Sequence, residues 1–173
     1  GQMVATGGRY LAWSAATWRN NPNRLFLVDP AAGTTRRLAE HARFVAGIDL
    51  NDAGDALVTM TPRRGPYSGR TVVRLYPHGR RARTFLPPKD MSVEAQLCGR
   101  RLAMFEAGDG RYRLVVRDRP AAPQRLVFSR PVIGRVIPWR SACDERTFLV
   151  AAFSERASEG YTHNRLHAYD LGP

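Results

Sequence analysis

Four short apolar runs recur along the chain at an almost constant interval. RYLAW at Arg9 is echoed by ALVTM at Ala56, RLAMF at Arg101 and TFLVA at Thr147, so successive starts lie 47, 45 and 46 residues apart. Around each run the same parts return in the same order: an apolar strand, a tight turn, the run itself, a loop, a third strand, a turn and an outer strand. A period in the mid-forties with about four short strands per unit is the mark of a β-propeller blade. The fold class expected is therefore all-β, a single β-propeller domain over residues 1–173. Its blades fall at about 1–40, 41–88, 89–130 and 131–173.

The local chemistry supports the strand assignments. In the first repeat, residues 2–6 form an inner strand and Gly7-Gly8 a tight turn, since glycine takes positive φ at no steric cost. VDPAAG at Val28 turns the chain into the outer strand over 34–39. In the second repeat, NDAGD turns into ALVTMTP, and Pro87-Pro88 ends the outer strand because proline cannot donate to a sheet ladder. In the third, Asp109-Gly110 marks a short hairpin. The fourth repeat reaches its third strand, RLHAYD, and stops at Leu171, Gly172 and Pro173, one strand short of the others. An unpaired sheet edge invites another strand. Three outcomes follow: the repeats form part of a larger propeller, a partner or second copy supplies the missing strand, or four blades close by themselves.

The runs GGRYLAWS and NDAGDALVTM and the turn VDPAAGTTRRL resemble the WD40-like repeats of the TolB type. The resemblance implies a propeller of the bacterial cell envelope or extracellular space that binds other proteins. Similar propellers also cap peptidases of the prolyl-oligopeptidase family, which makes an accessory propeller of a larger enzyme the alternative. Departures are visible. Cys98-Gly99 and Cys143-Asp144-Glu145 stand where an Asp-Gly turn belongs, and the third-strand aspartate recurs at Asp29, Asp118 and Asp170 but not after Tyr76.

No catalytic motif emerges, and the chain is expected not to be an enzyme. A serine nucleophile needs a sharp elbow of the form G-x-S-x-G, whereas GPYSG at Gly65 has the wrong spacing. His41, His78, His163 and His167 are unclustered, so neither a metal nor a cofactor is expected. Cys98 and Cys143 occupy the same turn of adjacent blades. They can form a disulfide if their Cα atoms approach to about 4.4–6.8 Å, or they can serve as two buried small hydrophobes.

The net charge of +12 comes almost wholly from arginine, Lys89 being the one lysine. The loops of one face sum to +3 and those of the other to +4, with the remaining +5 on strands. No stripe forms of the kind that phosphate backbones require, so no nucleic-acid partner is expected. No apolar run approaches the roughly 18 residues of a membrane-spanning helix.

The binding surface expected is the face carrying the long loops between second and third strands. These present Trp18, Arg19 and Asn21 in the first repeat, Arg63, Arg64 and Tyr67 in the second, and Arg156, Tyr161 and His163 in the fourth. Aromatic and arginine side chains of this kind make protein contacts, and a glycan is the other ligand class they suit.

Overall fold

The computed structural model describes residues 3–15, 23–155 and 162–172, and among them every regular element is a β-strand. The strands are β1 Met3–Gly7, β2 Tyr10–Ala15, β3 Asn23–Asp29, β4 Thr34–Leu50, β5 Ala56–Pro62, β6 Val72–Tyr76, β7 Arg83–Phe85, β8 Ser92–Cys98, β9 Arg101–Arg117, β10 Arg125–Cys143, β11 Thr147–Glu155 and β12 Thr162–Asp170. β1 to β7 pair antiparallel in sequence order, and so do β8 to β12; β7 and β8 do not pair. Among the described residues no helix is long and apolar enough to cross a membrane.

Three strands are longer than the sequence suggests because each does two jobs. β4 pairs with β3 from Thr34 to Ala42, then with β5 from Ala42 to Leu50, so it ends one blade and begins the next. Residues 34–46 contain neither glycine nor proline to break it. The boundary between the first two blades is thus extended chain, marked by register shifts around Ala42. β10 likewise bridges the third and fourth blades, with register shifts between Leu126 and Phe128, between Pro131 and Arg135, and between Pro138 and Arg140. β9 carries both central strands of the third blade, folded back at Gly110, whose φ is +76°. The blades so defined have four, four, four and three strands. This is a β-propeller of four repeats with the last one incomplete, and among the described residues nothing pairs the outer side of β12.

Contacts divide the chain into two compact units, Gly1–Pro87 and Pro88–Pro173, where the sequence suggests one domain. The Pro87-Pro88 pair marks the division, the one blade boundary that no strand spans. Each unit has its own core between two blades. In the first, Tyr10, Ala12, Leu25 and Leu27 of blade one meet Ala56, Val58, Met60 and Val72 of blade two. In the second, Ala103, Phe105, Leu114 and Val116 of blade three meet Phe148, Val150 and Ala152 of blade four. The alternation along each strand follows the two-residue period of the pleat. Burying each large side chain contributes about 1.5–3 kcal/mol.

The turns explain the departures from the repeat. In blade one the Asp29 carboxylate accepts the Ala32 N–H at 3.2 Å and pairs with Arg9 at 2.9 Å. Blade two has Pro77 in the corresponding place, and Asp55 from the neighbouring turn substitutes, accepting the His78 N–H at 2.7 Å. In blade four Asp144 accepts the N–H groups of Arg146 and Thr147, both at 2.7 Å. Asn51 does the same in blade two for Ala53 and Asp55. The two donors hold the Asp144 carboxyl below its ordinary range, with Arg146 adding to the effect.

Candidate functional site

Of the long-loop residues, Arg63, Arg64 and Tyr67 are described, all in the loop between β5 and β6. That loop is pinned by its own backbone. Gly69 N–H donates to Pro62 O at 3.2 Å, Ser68 Oγ to Arg63 O at 2.7 Å, and Arg70 reaches out to Pro87 O at 2.5 Å. Arg63 and Arg64 are exposed, whereas Tyr67 is half-buried against the first core. Much of the tyrosine therefore serves packing. Trp18, Arg19, Asn21, Arg156 and Tyr161 lie outside the described residues. His163 lies in β12, opposite Ser154, rather than in a loop, and its side chain is outside the described set. No group of three metal-ligating side chains occurs among the described residues.

A second surface, at the other ends of the strands, is built in more detail. Cys98 ends β8 and Cys143 ends β10; the two are disulfide-bonded, with Cα atoms 5.4 Å apart. The bridge joins equivalent turns of blades three and four. Beside it Gly99 has φ +62° and no side chain, and Glu145 packs into that space, its Cγ 2.8 Å from where a Cβ would stand. Arg101 then ties the floor together. One terminal nitrogen donates to Glu145 O at 2.9 Å and to Gly172 O at 2.8 Å, and its Nε faces Asp118 at 3.5 Å. Arg125 donates to Leu171 O at 2.8 Å, and Leu171 N–H donates to Arg146 O at 2.7 Å. Leu171 itself is fully buried.

These contacts leave a crevice of about 640 Å3 lined by Arg100, Arg101, Asp118, Glu145 and Arg146 above Cys98. Arg101 is spent on the floor. Arg100 and Arg146 are exposed, and neither makes a salt bridge or side-chain hydrogen bond among the described residues. The lining offers guanidinium and carboxylate groups on a rigid base. Such groups can engage a partner by charge and hydrogen bonds.

Sequence reasoning passed over this crevice, although a signal existed. Arg100 and Arg146 are one repeat apart, as are the two cysteines. In the sequence Arg146 directly follows Asp144 and Glu145, whose charges mask it.

No family model and no curated protein matches the chain. Solved structures do. TolB from Acinetobacter baumannii superposes with a TM-score of 0.63 at 12% identity, over 100% of this chain and 44% of that one. The β-propeller domain of the trilobed protease from Pyrococcus furiosus, described as having an open velcro topology, gives 0.61 at 13% identity over 99% and 50%. The acylaminoacyl peptidase of Pyrococcus horikoshii gives 0.58 at 15% identity over 95% and 27%. The chain thus spans half or less of the length of each of these structures. At such identities the likeness establishes architecture. It agrees with the strand order, the antiparallel registers and the mid-forties repeat: the chain has a β-propeller fold similar to that of TolB.

Proposed function

We propose that the chain is a non-catalytic protein-binding module that works at the cell envelope or outside the cell. The observation that carries this reading is the crevice, in which the Arg100 and Arg146 guanidinium groups stand exposed over a floor locked by the disulfide and by Arg101. Arginine is favoured at interfaces because its planar donor fork loses little freedom on binding carboxylates and carbonyls. A disulfide suits an oxidising compartment, which favours the envelope or extracellular setting. Arg63 and Arg64, on the pinned loop of blade two, offer a second contact.

The test is capture from an envelope extract by the immobilised chain, compared with Arg100→Ala/Arg146→Ala and with Arg63→Ala/Arg64→Ala. Each charged hydrogen bond contributes about 1.5–3 kcal/mol, so the crevice variant is expected to retain partner at least about tenfold more weakly. Equal capture by all three proteins would overturn the reading, as would binding confined to a glycan array.

A second reading is an accessory propeller that positions substrate for a larger peptidase. Its support is that two of the similar structures belong to peptidases, with this chain spanning 27% of one. A hydrolase domain encoded in the same reading frame would favour it over the first.

A further inference from the structure

Each unit packs one blade on the next, and strand register matches the two contacts position by position. Counted back from Asp29 and Asp118, the third-strand acids of blades one and three, Asn23 corresponds to Tyr112. Their outer-strand partners, Ala42 and Arg130, therefore correspond as well. In the later blades, Ala56, Val58 and Met60 pair with Tyr76, Arg74 and Val72, as Phe148, Val150 and Ala152 pair with Tyr169, His167 and Arg165. At the long-loop end the two units part company. Ala42 and Val72 are buried in the first core, 2% and 0% exposed, whereas Arg130 and Arg165 in their places are exposed.

Beside the two arginines lies a cluster of rings, all within the second unit. His167 stacks on Tyr169, with ring centres 6.1 Å apart and planes 9° from parallel, and lies 5.7 Å from Tyr112. Phe128 packs 5.0 Å from Tyr169. The Tyr169 hydroxyl is buried with no hydrogen-bond partner among the described residues. Burial, Arg165 of β12 and Arg130 of β10 together hold the His167 imidazole below its ordinary range. Among the described side chains neither arginine makes an ion pair. Like charges gathered in one place repel, and a buried donor without an acceptor is costly. Where a repeat gives up an apolar contact for such an arrangement, function is the expected reason.

We propose that the long-loop end of the contact between blades three and four binds a phosphate group, clasped by Arg130 and Arg165 beside His167 and Tyr169. Two guanidinium groups, and an imidazole able to take up a proton, match a doubly charged oxyanion better than a single carboxylate. Arginine's planar fork suits phosphate oxygens, and the Tyr169 O–H is a further donor in the same cluster. The bound anion favours the imidazolium form, so affinity rises as pH falls through the histidine range. This site lies at the opposite ends of the strands from the crevice, and its failure would leave the proposed function untouched.

Histidine ring NMR on the 173-residue chain tests it, with inorganic phosphate titrated against chloride at constant ionic strength. The His167 signals should shift saturably, and the His167 pKa should rise. Arg130→Gln and Arg165→Gln change exposed side chains, so each variant keeps its fold. Each should weaken phosphate at least about tenfold, and each should raise the His167 pKa in phosphate-free buffer by removing a repelling charge. Arg111→Gln, on the other face of blade three, should do neither. O-phosphoserine is the second probe. Tighter binding than inorganic phosphate means a group carried on a larger ligand, weaker binding means the free ion, and either bears the proposal out. The absence of a phosphate-dependent shift overturns it, as does a shift that both arginine variants retain or that Arg111→Gln weakens equally.

Discussion

Gly7 shows how a residue can be recognised for one reason and required for another. As half of a Gly-Gly pair it reads as a turn former, but the left-handed conformation belongs to Gly8, at φ +53°. Gly7 is needed because the next blade passes so close. A Cβ there would collide with Leu50 O and stand 2.6 Å from Asn51 O, both backbone atoms that cannot swing aside. Gly7→Ala is expected to cost about 1–3 kcal/mol by overpacking, which for a chain of this size lowers Tm by about 2–4 °C per kcal/mol. An unchanged melting curve would contradict that packing. The capping acids were half-legible for the same reason. Asp29 lies within the turn it serves, whereas Asp55 reaches the next turn from 23 residues away, a relation that only folding creates.

Strands were legible wherever local chemistry decides them and less so where they join. Apolar alternation marks β2, β5 and the two limbs of β9. The fusion of outer and inner strands in β4 depends on nothing interrupting the chain, and an absence is harder to read than the Pro87-Pro88 break. Between elements, the inner strands β8 and β10 are linked by Ser141 Oγ donating to Glu94 Oε2 at 3.1 Å. Burial pushes the Glu94 carboxyl above its ordinary range, and the Ser141 hydrogen bond and the Arg140 charge pull it back only in part. A raised carboxyl favours protonation in the folded state. Its contribution to stability is therefore full below the ordinary carboxylate pKa and is lost as pH rises through the raised value. Glu106, paired with Arg113 at 2.5 Å, is raised by burial too and acts in the same direction. His167 is lowered by burial and by Arg165 and Arg130, so its contribution is lost as pH falls below the ordinary histidine value. Glu94→Gln isolates one term. In urea titrations from pH 4 to 8, the stability of the wild type relative to this variant should fall as pH rises above about 4.5. A difference that stays flat would mean that Glu94 is solvated.

At the level of the whole chain, the repeat was readable because each blade must rebuild the same two faces from its own residues. The crevice was not, because its parts come from four separate turns of blades three and four and meet only when those blades stack. The Cys98–Cys143 bond spans 45 residues, close to one full repeat. It encloses β9 and most of β10, so a pull applied to the two ends of the chain bypasses that stretch through a covalent shortcut. At about 3.5 Å per extended residue, some 160 Å of contour length is withheld. Stretched in single-molecule tweezers, the oxidised chain should reach its limit about 160 Å sooner than the reduced one. Tension along the polypeptide would leave much of blade three out of the load path until the environment turned reducing.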